Sequence, residues 1–307
     1  MSSGDKRDPA ASVRARLLQL ARARSEDFQL VLTRYGLERL MARLGRSPYR
    51  DRFVLKGAML FALWSDEPHR ATRDVDFLGY GDASETELQA VFREICTQPV
   101  EEDGMVFDPD SVRVEPIRDD AEYGGMRVTL AGSLAGAHVP IQVDIGLGDA
   151  VTPDPQEITY PVLLDGPAPQ LLSYPRETVV AEKLQAIVAF GIANSRMKDY
   201  YDLWVIASRH EFDGDVLARA LRNTFDRRHT ELPERTPVGL SAEFAGDPGK
   251  NTQWNAFLDR VSGGGVAERP ALPEVCRQLE QFLGAPMGAA RRNVPWEANW
   301  PPGGPWS

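Results

Sequence analysis

Apolar residues return every three or four positions between Ser12 and Ala23, and again between Glu26 and Leu44. Leu17, Leu18 and Leu20 make the first stripe; Leu30, Val31, Tyr35, Leu37, Leu40 and Met41 make the second. That period predicts two amphipathic helices, the second closed by Gly45-Arg46-Ser47-Pro48. The pattern then shortens. Phe53–Leu55 reads as a strand, Gly57 as a turn, the apolar run behind it as a helix, and the stretch carrying Asp74-Val75-Asp76 as a second strand. Ser84 to Thr97 is predicted helical, with Ser84 as N-cap and Glu87 three residues on as a capping box. From Val106 to Gly148 the period becomes two, giving strands around 112–116, 125–132 and 138–146. A Pro-rich passage from Val151 to Pro169 holds one more strand, Ile158–Leu163.

Beyond it the helical period returns. Pro175 opens a helix from the first helical position, with Val179, Val180, Leu184, Ile187 and Val188 as its apolar side. Further helices are predicted over Ser195–Ser208, Asp213–Arg227, Lys250–Val261 and Pro273–Leu283, with a loop between Leu232 and Pro248. The last stretch, 286–307, is rich in Pro, Gly and Trp and has no period. It reads as a mobile or surface-draped tail whose Trp296, Trp300 and Trp306 could dock on the body. The fold class expected is therefore α+β: a mixed sheet in 1–165, an α-helical part in 166–285, and the tail.

Composition narrows this only a little. A chain of 307 residues, 42% hydrophobic, can build one large domain or two modest ones. No apolar run is long enough to cross a bilayer, and MSSGDKRDPA has no signal-peptide core, so a cytoplasmic protein without a membrane partner is expected. Cys96 and Cys276 lack metal-ligand spacing and are expected as reduced, buried thiols; His69, His138, His210 and His229 show no paired spacing, which argues against zinc. A net charge of −10 excludes a protein coated with basic charge. It leaves room for local patches: Arg14, Arg16, Arg22 and Arg24, and Arg219, Arg222, Arg227 and Arg228. Either set could equally be a solvated helix face.

The candidate chemistry centres on Asp74 and Asp76. Residues two apart on a strand share a face, so both carboxylates can address one point, and oxygen-only ligation suits Mg²⁺ or Mn²⁺. A bare pair of this kind also describes two surface acids at a strand end. Asp144 is a lone acid among Ile141, Val143 and Ile145, ending in a Gly-rich turn, with Asp149 its nearest competitor. Gly57 precedes a run whose backbone N–H groups could cradle phosphate or merely make a turn. Arg70 and Arg73 flank the acids, and Thr72 lies two residues before Asp74. Further on, Asp199 and Asp202 share a helix face with Arg196. Tyr200, Tyr201 and Trp204 read as core aromatics.

Lys56-Gly57-Ala58 with Arg70-x-Thr72-x-Asp74-x-Asp76, then Ala181-Glu182-Lys183-Leu184-x-Ala186, then Arg196-x-Lys198-Asp199-Tyr200-Tyr201-Asp202-Leu203, resemble in order and separation the AbiEii/AbiGii toxin family of type IV toxin–antitoxin systems. That family has Gly-Gly or Gly-Ser where this chain has Gly57-Ala58. The resemblance implies a nucleotidyltransferase fold and NTP-dependent nucleotidyl transfer. It places Asp74, Asp76 and Asp144 on two Mg²⁺ (or Mn²⁺) ions, and Lys183 and Asp199 among the catalytic residues. Lys56, Gly57, Ala58, Arg70, Thr72, Lys183 and Arg196 would bind the nucleotide, and the Thr72 hydroxyl would be either structural or, as at this position in some relatives, a point of silencing phosphorylation. It also implies an RNA acceptor, the 3′ end of tRNA, and a cognate antitoxin as partner. Two rivals stand beside it: a nucleotidyltransferase with a small-molecule or protein acceptor, and a non-catalytic interaction module.

Overall fold

The computed structural model describes residues 8–65, 72–117, 124–262 and 268–307. The chain divides into two compact units, Met1–Gly148 with Gln156–Ser173, and Asp149–Pro155 with Tyr174–Ser307.

The first unit opens with α1 (Pro9–Arg24) and α2 (Phe28–Arg46). Asp8 and Asp27 cap them, each carboxylate accepting from a backbone N–H of the first turn. There follow β1 (Phe53–Lys56), a 3₁₀ turn over Gly57–Leu60, α3 (Phe61–Trp64) and β2 (Val75–Gly79). Next come α4 (Glu85–Thr97), β3 (Met105–Ile117), β4 (Gly125–Leu134), β5 (Ala137–Leu147), β6 (Gln156–Thr159) and β7 (Gln170–Ser173). The strands form one mixed seven-stranded sheet in the order β3-β4-β5-β2-β1-β7-β6. β2 runs parallel to β5 and β1 parallel to β7; the other pairs are antiparallel.

The period-two reading of β5 has its physical cause in the core. Val139, Ile141, Val143 and Ile145 are buried while Gln142 and Asp144 alternate with them. α2 lies on that apolar side: a Cβ at Gly36 would come within 2.8 Å of both Ile141 and Val139, so only glycine lets the helix approach so closely.

Three expectations need correction here. The apolar run after Gly57 is one 3₁₀ turn and one short α turn rather than a full helix, ended by Ser65 in extended conformation. The strand expected over Ile158–Leu163 is Gln156–Thr159, because Pro161 has no N–H to give a ladder. The sheet also gains β7, which pairs with β1, so residues to Ser173 belong to the first unit and the boundary drawn at 165 falls inside it.

The second unit contains α5 (Arg176–Phe190), α6 (Met197–Arg209), β8 (Phe212–Asp213) and α7 (Gly214–Arg227). It continues with α8 (Ala242–Gly246), α9 (Pro248–Ser262), α10 (Leu272–Arg292) and β9 (Asn299–Trp300). Pro175 is the N-cap of α5, one place before the position expected. The larger difference is the C-terminus. α10 runs through Pro286 to Arg292 instead of ending at Leu283. Proline has no N–H, so the carbonyl four residues earlier, Phe282 O, loses its helical donor. Trp306 Nε1 donates to that oxygen at 2.9 Å and its ring stacks on Phe282. Trp300 Nε1 and Gly303 N both donate to Ala207 O near the end of α6, where helical carbonyls lack partners of their own. Trp300 is 1% exposed and β9 pairs with β8. The stretch 286–307 thus extends α10 to Arg292 and then drapes over the second unit, largely exposed but anchored by Trp300 and Trp306, so the surface-draped alternative with docked tryptophans is the one seen.

Both cysteines are buried and unbridged, and burial pushes each thiol up to about 12. No helix among the described residues is long and apolar enough to cross a membrane.

Candidate active site

The sheet register sets four charged residues in one line. Lys56 of β1 lies opposite Asp76 of β2, Asp76 opposite Asp144 of β5, and Asp144 opposite Arg127 of β4. Residues directly opposite on neighbouring strands share a face, so the row reads cation, carboxylate, carboxylate, cation. Side-by-side carboxylates repel, and flanking cations offset that cost. Arg127 grips Asp144 with both ends of its fork, Nε to Oδ1 and Nη2 to Oδ2, each at 2.8 Å. Gln142 Nε2 adds a longer contact to Oδ1 at 3.3 Å. The Arg127 pKa is raised, first by its hydrogen bond to Asp144; burial opposes this, while the charges of Asp144, Asp74 and Glu115 add to it.

Asp74 stands just outside β2, in a bend before Val75, rather than inside the strand as expected. Thr72 holds it there: the hydroxyl donates to Asp74 Oδ1 at 2.5 Å and lies 3.3 Å from the Asp74 carbonyl. Gly57 has φ of +72°, and a Cβ there would sit 1.9 Å from Asp76 Oδ2. The glycine is therefore required twice, for its backbone angle and for the room it leaves the carboxylate. Ala58, the departure from the family pair, is buried behind it at 8% exposure. Arg70 lies outside the described residues.

Among the described residues no group of three or more acid, His or Cys side chains is gathered as a ready metal site. Asp76 and Asp144 nonetheless fit a hard divalent cation: their donors are carboxylate oxygens only and they are adjacent in register. Both Asp144 oxygens are meanwhile engaged by Arg127.

In the second unit Lys183 projects from α5 to α6. Its Nζ donates to Asp199 Oδ1 at 2.7 Å and to Asp202 Oδ2 at 2.8 Å. Arg196 Nε donates to the other oxygen of Asp199 at 2.7 Å. Asp199 and Asp202 are 1% and 0% exposed, Lys183 14% and Arg196 47%. Burial raises the Asp199 pKa, but the charges of Lys183 and Arg196 outweigh it and hold the carboxyl below its ordinary value. Asp199 and Asp202 are thus both bound to the same ammonium.

The basic patch expected on α7 loses a member. Arg228 is turned inward on Asp149, Glu182 and Gln185, while Arg219 pairs with Asp215 and Arg222 with Asn293. Asp149, the competitor of Asp144, is thereby placed in the second unit with Arg228. On α1, Arg14, Arg16, Arg22 and Arg24 are exposed, with Arg16 3.5 Å from Asp165. Tyr200, Tyr201 and Trp204 are core residues. Sequence reasoning missed Arg127. Its only signal was a charged residue on an alternating strand, and the register that joins it to Asp144 is not written locally.

A family model described as "Nucleotidyl transferase AbiEii toxin, Type IV TA system" matches residues 39–281. No curated protein matches the chain. Two Helicobacter pylori crystal structures are similar to it at 16% identity and a TM-score of 0.43: one titled as a nucleotidyltransferase, covering 83% of this chain and 92% of its own, and JHP933, covering 83% and 89%.

Proposed function

Because the chain belongs to the AbiEii nucleotidyl transferase toxin family of type IV toxin–antitoxin systems, we propose that this nucleotidyltransferase moves a nucleoside monophosphate from an NTP to an RNA acceptor, the 3′ end of a tRNA, and so blocks translation. The observation that carries the reading is the pairing of Asp76 with Asp144 across β2 and β5, between Lys56 and Arg127.

Asp76 and Asp144, with Asp74 beside them, are the residues that would hold Mg²⁺ or Mn²⁺; bound there, the metal neutralises charge on the α-phosphoryl group and makes the acceptor hydroxyl more acidic. The acceptor oxygen bonds to the α-phosphorus as the bond to the β-phosphate bridging oxygen breaks. Pyrophosphate leaves, and the hydroxyl proton goes to solvent. Gly57 leaves the space in which the Asp76 carboxylate sits, and Thr72 fixes the orientation of Asp74. A phosphate on Thr72 would replace that hydrogen bond with about −1.5 to −2 charges against Asp74, so modification there would silence the site. In the second unit Lys183 positions Asp199 and Asp202, and Arg196, the exposed member of that network, is suited to a nucleotide phosphate. The exposed arginines of α1 suit an RNA backbone. A type IV system also supplies a cognate antitoxin.

The net charge of −10 favours a second reading, the same chemistry on a small-molecule or protein acceptor. A transfer assay with each labelled NTP, Mg²⁺ and total bacterial RNA, comparing the unchanged protein with Asp76→Asn, tests both. Label on tRNA-sized RNA with the unchanged protein alone supports the first reading. Label on protein or small molecules instead supports the second, and transfer undiminished by Asp76→Asn would overturn the site assignment.

A further inference from the structure

Asp144 poses a problem for the reading above, on which this inference rests. The carboxylate adjacent to Asp76 has both oxygens engaged by one guanidinium, at 2.8 Å each. A cation brought to Asp76 would lie beside that guanidinium, and like charges at contact distance repel. The two cannot share Asp144 at no cost, so one must yield.

The structure says which can move. The Asp144 side chain is 17% exposed and stands on a strand hydrogen-bonded on both sides, between buried Val143 and Ile145. The Arg127 side chain is 36% exposed and carries its guanidinium on a long flexible stem. Its planar fork matches a phosphate as well as it matches a carboxylate. The row Lys56-Asp76-Asp144-Arg127 also shows what the guanidinium does meanwhile: it supplies positive charge to a carboxylate pair that is costly to leave bare.

We propose that Arg127 is a placeholder cation: it occupies Asp144 until a divalent metal takes that carboxylate, and then turns to a phosphate of the nucleotide. Arg127 thereby links metal entry to nucleotide entry. Each ligand removes the obstacle to the other, because the metal releases the guanidinium and the phosphate gives it a new partner.

The test is Mn²⁺ binding to the nucleotide-free protein, followed by the free-ion electron paramagnetic resonance signal, for the unchanged chain, Arg127→Gln, Arg127→Lys and Asp144→Asn. Arg127→Gln removes the competitor, and Mn²⁺ should bind at least about tenfold tighter than to the unchanged protein. Arg127→Lys should fall between the two, since an ammonium cannot grip both oxygens. In steady-state transfer, Arg127→Gln should raise KM for the NTP at least about tenfold, and Arg127→Lys should recover part of it. If Arg127→Gln folds and binds Mn²⁺ no tighter, or more weakly, the pair is a structural clamp and the proposal is wrong. If Asp144→Asn binds Mn²⁺ as well as the unchanged protein does, the metal assignment itself fails. An Arg127→Gln protein too unstable to test leaves Arg127→Lys, whose unchanged Mn²⁺ affinity would equally overturn the idea.

Discussion

The Asp76 carboxylate rests directly on the Cα of Gly57, where a Cβ would stand 1.9 Å from Oδ2. The turn that ends β1 and the acid on β2 are thus one construction. Gly57→Ala imposes a left-handed backbone angle on an L residue, at about 1–2 kcal/mol, and pushes Asp76 out of place. The unfolding free energy from urea titration should fall by at least that amount, and transfer by at least about a hundredfold, the usual cost of misplacing a catalytic group by an ångström. Full activity in a folded Gly57→Ala protein would detach Asp76 from the chemistry.

Lys183 is the only cation reaching both Asp199 and Asp202 in the hydrogen bonds described. Lys183→Met takes the ammonium from both buried acids and leaves Asp199 with Arg196; breaking a buried pair in this way costs about 3–5 kcal/mol. Equilibrium unfolding should register that loss. Lys183→Met combined with Asp202→Asn should regain part of it, since one of the two buried charges that lost the ammonium is gone. A Lys183→Met protein as stable as the parent, but unable to bind nucleotide, would show that the ammonium serves the ligand rather than the network.

His210 supplies a pH dependence with a definite sign. Burial, then the charges of Arg176 and Arg209, lower its pKa from 6.5 to about 4. Arg176 Nη1 lies 2.7 Å from His210 Nδ1; arginine only donates, so Nδ1 is the acceptor and the ring proton sits on Nε2. Between pH 6.5 and about 4 the unfolded chain takes up a proton that the folded chain refuses, so stability falls as pH falls through that window. An NMR titration of the folded protein should give His210 an apparent pKa near 4. The urea midpoint of His210→Asn should decline less over the same range. An ordinary imidazole titration would remove Arg176 as its partner.

Trp306 donates to the carbonyl that Pro286 leaves open. Trp306→Phe keeps much of the ring and loses the donor, at about 1–3 kcal/mol for a buried acceptor left unmet. Adding Pro286→Ala restores a helical N–H to Phe282 O, so the double variant should be more stable than Trp306→Phe alone. Additive losses in thermal unfolding would mean that the indole contributes by packing only.

Much of this was legible along the chain. The stripes of α1 and α2 and the alternation of β5 are local patterns, and burial follows them. Asp76 and Asp144 could be singled out because acids interrupt apolar strands, and Asp74 because it stands two residues from Asp76. Other features could not. β7 is four residues after a Pro-rich loop, too short to carry a period. Pro286 looked like a helix stop because its missing partner, Trp306, comes twenty residues later.

The sequence by itself determined most of the elements, the family, and the residue types capable of phosphoryl chemistry, because period and local motif depend on neighbours in the chain. Only the tertiary structure decided which charges meet. Strand register placed Lys56, Asp76, Asp144 and Arg127 in a row, and helix packing put Lys183 between two buried acids. Both are set by pairings between distant segments, which the burial of the whole core selects and no local stretch encodes.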